Sequence, residues 1–322
     1  MMQTPFEASG QWTSRDDGEA FLEAVTTAHD VPLVTLGHSV ENRPIRAALI
    51  GAHPDTASQV GLLVALQHGN ETAGREGAFA VLRDLAQTTD PATLSYLQDT
   101  AWVIIPTLNI DRLMIARQNA NWVDLNRDYE DATQPETAVV QYVLDTWQPT
   151  VILDAHEINS PFNADVGLGI PSIAEVHTAI RQLSAQARDH IAPQLIASGS
   201  DYMHFPASSV MGLRNWGGLH HAVTLLTETY ALNDEREPAL RVQDHVTVFH
   251  ALIEHHIEHY DTYRRIADQS RHPATFQGSA PPYFDMWQNP VAIIQDKRIT
   301  DAYLHTPTGK VRVYDQLSNL LN

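Results

Sequence analysis

Three residues of types that bind divalent metals follow two apolar runs of the sequence. His68 and Glu71 come directly after the run Gly61–Gln67, and His156 ends the run 151–156. Two neutral imidazoles and one carboxylate are a usual ligand set for catalytic zinc, with the fourth position left for water. Both runs predict buried strands, so the three side chains are expected at the ends of adjacent strands. Because the chain has 17 histidines, His-x-x-Glu pairs also arise by chance, and the spacing alone does not decide between a metal site and coincidence.

The charge balance and the missing residue types limit the function classes. The chain of 322 residues carries 20 Lys and Arg against 39 Asp and Glu, a net charge of −19. Nucleic acids and anionic membrane surfaces both require clustered positive charge, so we expect neither as a partner. The sequence has no cysteine, which excludes disulfides, thiolate ligands and cysteine nucleophiles. A metal must therefore be held by His, Asp or Glu.

The first residues of the chain do not have a charged start followed by an apolar run, the pattern of a signal peptide. No apolar stretch reaches the roughly 20 residues needed to cross a bilayer. We therefore expect a cytoplasmic protein, and the oligomeric state is not predicted.

Short apolar runs alternate with helical periodicity, which is typical of an α/β sandwich with a mostly parallel sheet and ligands beyond the strand carboxyl ends. Strands are predicted at Leu33–Leu36, Ile45–Gly51, Gly61–Gln67, Ala101–Leu108, Thr150–Asp154 and Ala222–Thr227. Helices are predicted at Asp16–Ala28, Gly74–Thr88, Pro135–Trp147, Ser172–Ile191 and Pro238–Ala267.

Five blocks of sequence match motifs of one known family, in that family's order. They are Leu36–Ile45 with its final Arg-Pro-Ile, His68-x-x-Glu71, Arg117–Asp128, His156, and Glu228 within Leu225–Thr229. Together they span roughly residues 15 to 265, and the chain resembles the zinc carboxypeptidase superfamily, the metallocarboxypeptidase-like peptidases. The resemblance implies a three-layer α/β/α sandwich with a mixed, mostly parallel central sheet.

The resemblance also implies a domain division and a metal site. It assigns residues 1–269 to a catalytic domain, and the Pro-, Gly- and polar-rich residues 270–322 to a C-terminal extension. This extension is predicted to be a packed tail or a small β appendage around Val291–Ile294 and Val311–Tyr314. In the family, the residues that match His68, Glu71 and His156 bind one zinc ion. The match to Asp124 hydrogen-bonds the first of these ligands and fixes its ring.

Four further residues inherit roles in substrate binding and catalysis. Asn126 and Arg127 match the pair that holds the terminal carboxylate of the substrate, which a planar guanidinium can bind through both oxygens. Arg117 matches the arginine that stabilises the oxyanion, and Glu228 matches the general base. The implied function is a zinc-dependent hydrolase that removes a C-terminal amino acid from a peptide by attack of metal-activated water.

Two other functions stay open at this point. His68-Gly69-Asn70-Glu71-Thr72 is also similar to the succinylglutamate desuccinylase and aspartoacylase branch, so an N-acyl amino acid deacylase is the alternative, with an acylated amino acid as substrate. Both candidate substrates have a free carboxylate. A binding module without activity is the third reading, and it would require a broken zinc set or a lost base.

The sequence departs from the family at several positions, which puts the substrate preference in doubt. Asn109–Arg112 lacks the Pro and Gly of the family's turn, and Asn70 replaces an arginine of many digestive carboxypeptidases. The family's mobile tyrosine is not identified, and Tyr202 and Tyr230 are the two candidates.

Other polar residues are interpreted as structural. The histidines of the last long helix are expected on a solvated face, although His255 and His259 are spaced to bind a metal. His220 and His221 are expected to pack near the site. The stretch Arg214–Gly218 is interpreted as a loop that lines the pocket, with Arg214 as a candidate for substrate contact.

Overall fold

A computed structural model describes residues 2–159, 163–208, 210–231 and 236–272, together with strand residues 303–306 and 309–312. The chain divides into two units, Met1–Arg271 and His272–Asn322. The first unit contains all the candidate site residues.

The first unit is built on an eight-stranded mixed sheet in the order β1-β2-β4-β3-β5-β8-β6-β7. The four strands β4, β3, β5 and β8 run parallel to one another, and so do β6 and β7, while the pairs β1–β2, β2–β4 and β6–β8 are antiparallel. The strands are β1 (Leu33–His38), β2 (Pro44–Gly51), β3 (Gln59–Ala65), β4 (Thr100–Ile105), β5 (Val151–Ile158), β6 (Val166–Gly169), β7 (Tyr202–His204) and β8 (Val223–Tyr230).

Helices cover both faces of this sheet, and several begin at residues that favour a helix start. Pro91 and Pro135 each occupy the first turn of a helix, where the missing N–H is not needed, and Asp90 caps the former by accepting from the Thr93 N–H (2.8 Å). The helices are α1 (Pro5–Ser9), α2 (Arg15–Ala28), α3 (Ala73–Ala86), α4 (Pro91–Asp99), α5 (Pro135–Trp147), α6 (Thr178–Ala197), α7 (Leu213–Leu219), α8 (Pro238–Glu258) and α9 (Tyr260–Arg271).

The alternation of side chains along the central strands separates two cores. In β3, Leu63 and Ala65 face a core shared with α2, α3, α4, α6, α8 and α9, whereas Leu62 and Val64 face a second core formed with α5 and α7. All of β3 is buried, as expected for a strand covered on both faces. The predicted three-layer α/β/α sandwich with a mixed, mostly parallel sheet is therefore confirmed.

The sequence predicts most elements but misses the short ones. Each of the six predicted strands corresponds to an observed strand within a few residues, while β6, β7, α1, α4 and α7 were not predicted. The single predicted helix Pro238–Ala267 is wrong in continuity, because α8 ends at Glu258 and α9 starts at Tyr260. The stretch Arg214–Gly218, interpreted as a loop, lies within α7.

The second unit contains an antiparallel strand pair, β9 (Tyr303–Thr306) with β10 (Gly309–Arg312). The strand expected around Val311–Tyr314 overlaps β10, and the one around Val291–Ile294 lies outside the described residues. The division of the chain at residue 269 stays a prediction. Among the described residues, none of the helices has the length and apolar character that a membrane crossing requires.

Candidate metal centre and active site

The turn after β3 positions the first two candidate ligands. Leu66 takes a left-handed backbone conformation (φ 56°), which costs free energy for a residue with a side chain. The turn is closed by the Glu71 N–H, which donates to the carbonyl oxygen of His68 (3.1 Å). Gly69 is required there because a Cβ atom would lie 2.1 Å from the carbonyl oxygen of Arg112. The strained turn directs His68 and Glu71 to the same point.

His156 completes a buried cluster with these two residues. It lies within β5, which is the direct neighbour of β3 in the sheet, and the three side chains are at most 2% exposed. His68 Nδ1 is 2.7 Å from Glu71 Oε1, His156 Nδ1 is 2.8 Å from Glu71 Oε2, and the two Nδ1 atoms are 3.1 Å apart. Ligand atoms of a tetrahedral zinc ion lie about 3.3 Å apart, given bonds of about 2.0–2.2 Å. The cluster therefore has nearly the dimensions of a zinc site.

The outward nitrogen of each imidazole faces a carboxylate. His68 Nε2 lies 3.0 Å from Asp124 Oδ1, and His156 Nε2 lies 2.8 Å from Asp154 Oδ1. A carboxylate at Nε2 favours the tautomer with the proton on that nitrogen, which leaves the lone pair on Nδ1. Two lone pairs and the Glu71 carboxylate then converge in a buried space, an arrangement that a cation stabilises.

The electrostatics of the cluster agree with this donor set. Burial raises the pKa of Glu71, but the neighbouring His68 and His156 outweigh it and hold the pKa well below its ordinary value. Burial also raises the pKa of Asp124, but His68 and Arg117 lower it by more, so the pKa of Asp124 lies below its ordinary value. Both carboxylates are therefore ionised at neutral pH. Within the described residues, His68, Glu71 and His156 form the one group of three or more side chains with the convergence of a metal site.

Glu228 lies next to the cluster because of the register between two parallel strands. His156 in β5 and Glu228 in β8 are Cα partners, so their side chains lie on the same face of the sheet about 5 Å apart at the backbone. Burial raises the pKa of Glu228 to about 7, against the opposing effect of His156. Its side chain is partly exposed, unlike those of the three candidate ligands. A carboxylate with this pKa can accept and release a proton near neutral pH.

Comparisons with known proteins agree with this geometry. The family model described as zinc carboxypeptidase matches residues 19–151. Human carboxypeptidase D is 28% identical over 179 residues, a match that covers 46% of this chain and 13% of that protein, so the chain spans a small part of this relative. The metallo-carboxypeptidase from Burkholderia cenocepacia superposes with a TM-score of 0.61 at 19% identity, over 78% of this chain and 70% of that one. The carboxypeptidase A from Helicoverpa armigera gives 0.63 at 17% identity, over 83% and 75%.

Residues 19–151 of the chain are therefore similar to the zinc carboxypeptidase family. The family match ends at the first residue of β5, so it does not include His156 or Glu228. The structure places these two residues beside the matched part of the site.

The residues expected to hold the substrate carboxylate lie in one short turn. Asn126 is buried, its Nδ2 lies 3.0 Å from His156 Nε2, and its Oδ1 accepts from the Leu213 N–H (2.8 Å). Arg127 is exposed and donates from Nη1 to the carbonyl oxygen of Asn126 (2.8 Å). The structure thus brings both residues to the metal cluster, and their contact with a substrate stays a prediction.

Arg117 reaches the same cluster from the loop before this turn. Its Nη1 donates to Glu71 Oε1 (2.9 Å) and its Nε to Asp124 Oδ2 (3.1 Å). The guanidinium therefore links a candidate ligand to the carboxylate behind His68. Its side chain is 40% exposed, so part of it remains open to the solvent side of the site.

Asp154 and its neighbours were missed from the sequence. Asp154 precedes His156 by two positions in a strand, and this period-two spacing places both side chains on one face. Gln67 also donates to Asp154 Oδ1, and Gln67 is held in turn by the Tyr129 hydroxyl, which donates to its Oε1 (2.7 Å). The Asp-x-His spacing was the available signal, whereas nothing in the sequence connected Gln67 and Tyr129 to this site.

The other candidates lie apart from the cluster or remain unassigned. His220 Nδ1 contacts the carbonyl oxygen of Trp216 (3.0 Å) and His221 Nδ1 contacts the Ser270 hydroxyl (2.9 Å), so these contacts are with residues outside the cluster. Tyr202 lies in β7 and Tyr230 ends β8. Neither is assigned a catalytic role.

Proposed function

We propose that this protein is a zinc-dependent metallocarboxypeptidase that releases the C-terminal residue of a peptide. The observation that carries the proposal is the pairing of His156 with Glu228 across β5 and β8, which sets a titratable carboxylate beside a metal-binding cluster. The family match and the relatives named as carboxypeptidases favour this activity over the deacylase alternative.

The donor set fits zinc. His68 Nδ1, His156 Nδ1 and the Glu71 carboxylate would hold the ion, and three protein ligands leave a position for water or substrate. When bound, zinc lowers the pKa of water and polarises a carbonyl group. Asp124 and Asp154 keep both rings in the orientation that this requires.

Glu228 supplies the proton transfer in the proposed reaction. Its pKa of about 7 allows the carboxylate to take a proton from the attacking water and to pass it to the leaving amine. No covalent intermediate with the protein is needed.

Two guanidinium groups orient the peptide. Arg117 stabilises negative charge on the oxygen of the scissile carbonyl, since its half-exposed side chain borders the ligand Glu71. Arg127 binds the terminal carboxylate, because it is exposed and forms no ion pair within the described residues.

The test is the release of the C-terminal amino acid, or of its amide from an amidated dipeptide, by the zinc-loaded protein acting on blocked dipeptides, with both products measured by mass spectrometry. Each dipeptide is offered with a free and with an amidated C-terminus, next to N-acetyl and N-succinyl amino acids. We expect release from the free-carboxylate dipeptides, and a reduction of about 10²- to 10⁴-fold in Glu228→Gln. Equal release from the amidated dipeptides would contradict the role of Arg127, and release from the N-acyl amino acids alone would favour the deacylase.

A further inference from the structure

A second arginine without an acidic partner, Arg214, lies in the helix that contacts Asn126, the residue before Arg127. Arg214 is at the start of α7, directly after Leu213, whose N–H donates to Asn126 Oδ1. Within the described residues, neither Arg127 nor Arg214 forms an ion pair, although the chain has 39 acidic residues. The two guanidinium groups are close enough that the charge of Arg127 lowers the pKa of Arg214.

The burial of Arg214 makes its lack of an anion costly. The residue is 6% exposed, and its one hydrogen bond within the described residues runs from Nη1 to the carbonyl oxygen of Pro206 (3.2 Å). The guanidinium also lies over the ring of Phe205, 5.8 Å from the ring centroid. A guanidinium has five N–H donors, however, and a buried cation without an anion is unfavourable. Burial accordingly lowers the pKa of Arg214, while Asp154 and Glu228 raise it without forming an ion pair. The position is suited to an anion that arrives from outside.

A glycine in β6 provides the space that Arg214 occupies. A Cβ atom at Gly169 would lie 2.7 Å from Arg214 Nη1 and 3.2 Å from Arg214 Cδ. In the same strand, Gly167 is the Cα partner of Glu228 in β8. The guanidinium therefore packs on β6, the strand that pairs with β8 and its proposed general base.

We propose that Arg214 binds the side-chain carboxylate of an acidic C-terminal residue while Arg127 binds its α-carboxylate, so that the protein prefers peptides ending in Glu or Asp. The proposal rests on the carboxypeptidase function proposed above. It explains why a protein with a net charge of −19 keeps two adjacent guanidinium groups unpaired at its site. A charge-assisted hydrogen bond in a buried site is strong enough to discriminate an acid from its amide about 10- to 100-fold.

The experiment compares kcat/KM for blocked dipeptides ending in Glu, Gln, Asp and Leu, using the zinc-loaded full chain. Glu and Gln have nearly the same shape, so their ratio isolates the charge. We expect Glu to exceed Gln by about 10- to 100-fold, and this ratio to fall to near one in Arg214→Met. Arg188→Met is the matched control, since Arg188 lies in α6 and pairs with Asp189, and it should retain the ratio.

A second variant keeps the test informative if Arg214→Met does not fold, which thermal unfolding would reveal. Gly169→Ala retains the arginine but displaces its guanidinium, and we expect it to lower the Glu-to-Gln ratio as well. Equal turnover of Glu and Gln peptides by the wild type would overturn the role of Arg214 and leave the carboxypeptidase function intact.

Binding separates this proposal from the proposed reaction. The Glu-ended and Gln-ended dipeptides are titrated into the zinc-loaded Glu228→Gln protein by calorimetry. Tighter binding of the Glu peptide that is lost in the double variant with Arg214→Met supports the site even if no peptide is cleaved. Equal binding of the two peptides contradicts it.

Discussion

Two groups of buried histidines in this protein have opposite electrostatic surroundings. His68 and His156 lie at the carboxyl end of the sheet, whereas His245, His255 and His256 lie on α8, and all five are at most 2% exposed. The solvated face expected for the helix histidines is therefore wrong for these three. It agrees with the structure for His259, which is exposed.

The neighbours of the two groups differ in charge. The helix histidines contact hydroxyl groups: His255 Nδ1 is 2.8 Å from the Tyr263 hydroxyl, and His256 Nδ1 contacts that of Tyr96. Burial lowers the pKa of His256 to about 3 and that of His255 to about 4. At the carboxyl end of the sheet, burial also lowers the pKa of His156. The carboxylates of Asp154 and Glu71 raise it by more, so the pKa of His156 lies above its ordinary value. Burial alone thus does not make a histidine a ligand; convergent carboxylates do.

The largest difference between the two groups is expected in metal binding and turnover, when one histidine of each group is replaced by Gln. His156→Gln should lose the metal and reduce kcat/KM to background, because the cluster retains only two ligands. His256→Gln should keep both, since its partners are Tyr96 and Gln59 and not the metal cluster. Metal content by mass spectrometry of the purified variants and peptide turnover check this pair. A metal-free His256→Gln protein that is still folded would refute the comparison.

Substitution of the carboxylates that contact Nε2 of His68 and His156 should have a smaller effect on metal binding. We expect Asp124→Asn and Asp154→Asn each to weaken metal affinity about 10- to 100-fold, because the uncharged amide no longer holds the Nε2 proton in place. Competition with a chelator measures the affinity. Asp145→Asn, which removes a partner of His220 and of none of the three candidate ligands, serves as the control. Unchanged affinity in Asp154→Asn would show that Asp154 does not orient His156.

The helix histidines should make the fold sensitive to acid. His256 stays neutral in the folded protein down to about pH 3, whereas in the unfolded chain it gains a proton near pH 6.5. Its contribution to stability is therefore complete above pH 6.5 and is lost as the pH falls below it, by about 1.4 kcal/mol per pH unit. The free energy of unfolding is measured with urea between pH 7 and pH 5. Its dependence on pH should be shallower in His256→Gln than in the wild type by about this amount. Identical slopes would mean that His256 is protonated in the folded state.

The smallest effect is expected at His259. This residue is exposed, and its ring is tilted by 52° against that of His255 with the ring centroids 4.4 Å apart. His259→Gln should change the free energy of unfolding by less than about 0.5 kcal/mol, without loss of metal or turnover. A loss of bound metal in this variant would reveal a second site at the end of α8.

Local sequence patterns determined most of the fold and the candidate metal ligands. The apolar runs predicted the strands β3 and β5, and His68, Glu71 and His156 were found from their position after these runs together with the family motifs. This succeeds because strand burial and a short ligand turn are encoded within a few consecutive residues.

Only the tertiary structure decided which distant residues meet. Glu228 becomes the neighbour of His156 through the register of β5 and β8, and Asp154 becomes a partner of the ring by sharing its face of the sheet. The surroundings of His256 depend on contacts with Tyr96 and Gln59, far away in the chain. Composition sets the charge of a protein, but the pKa of a buried group depends on the few atoms that replace its water, and these are chosen by packing.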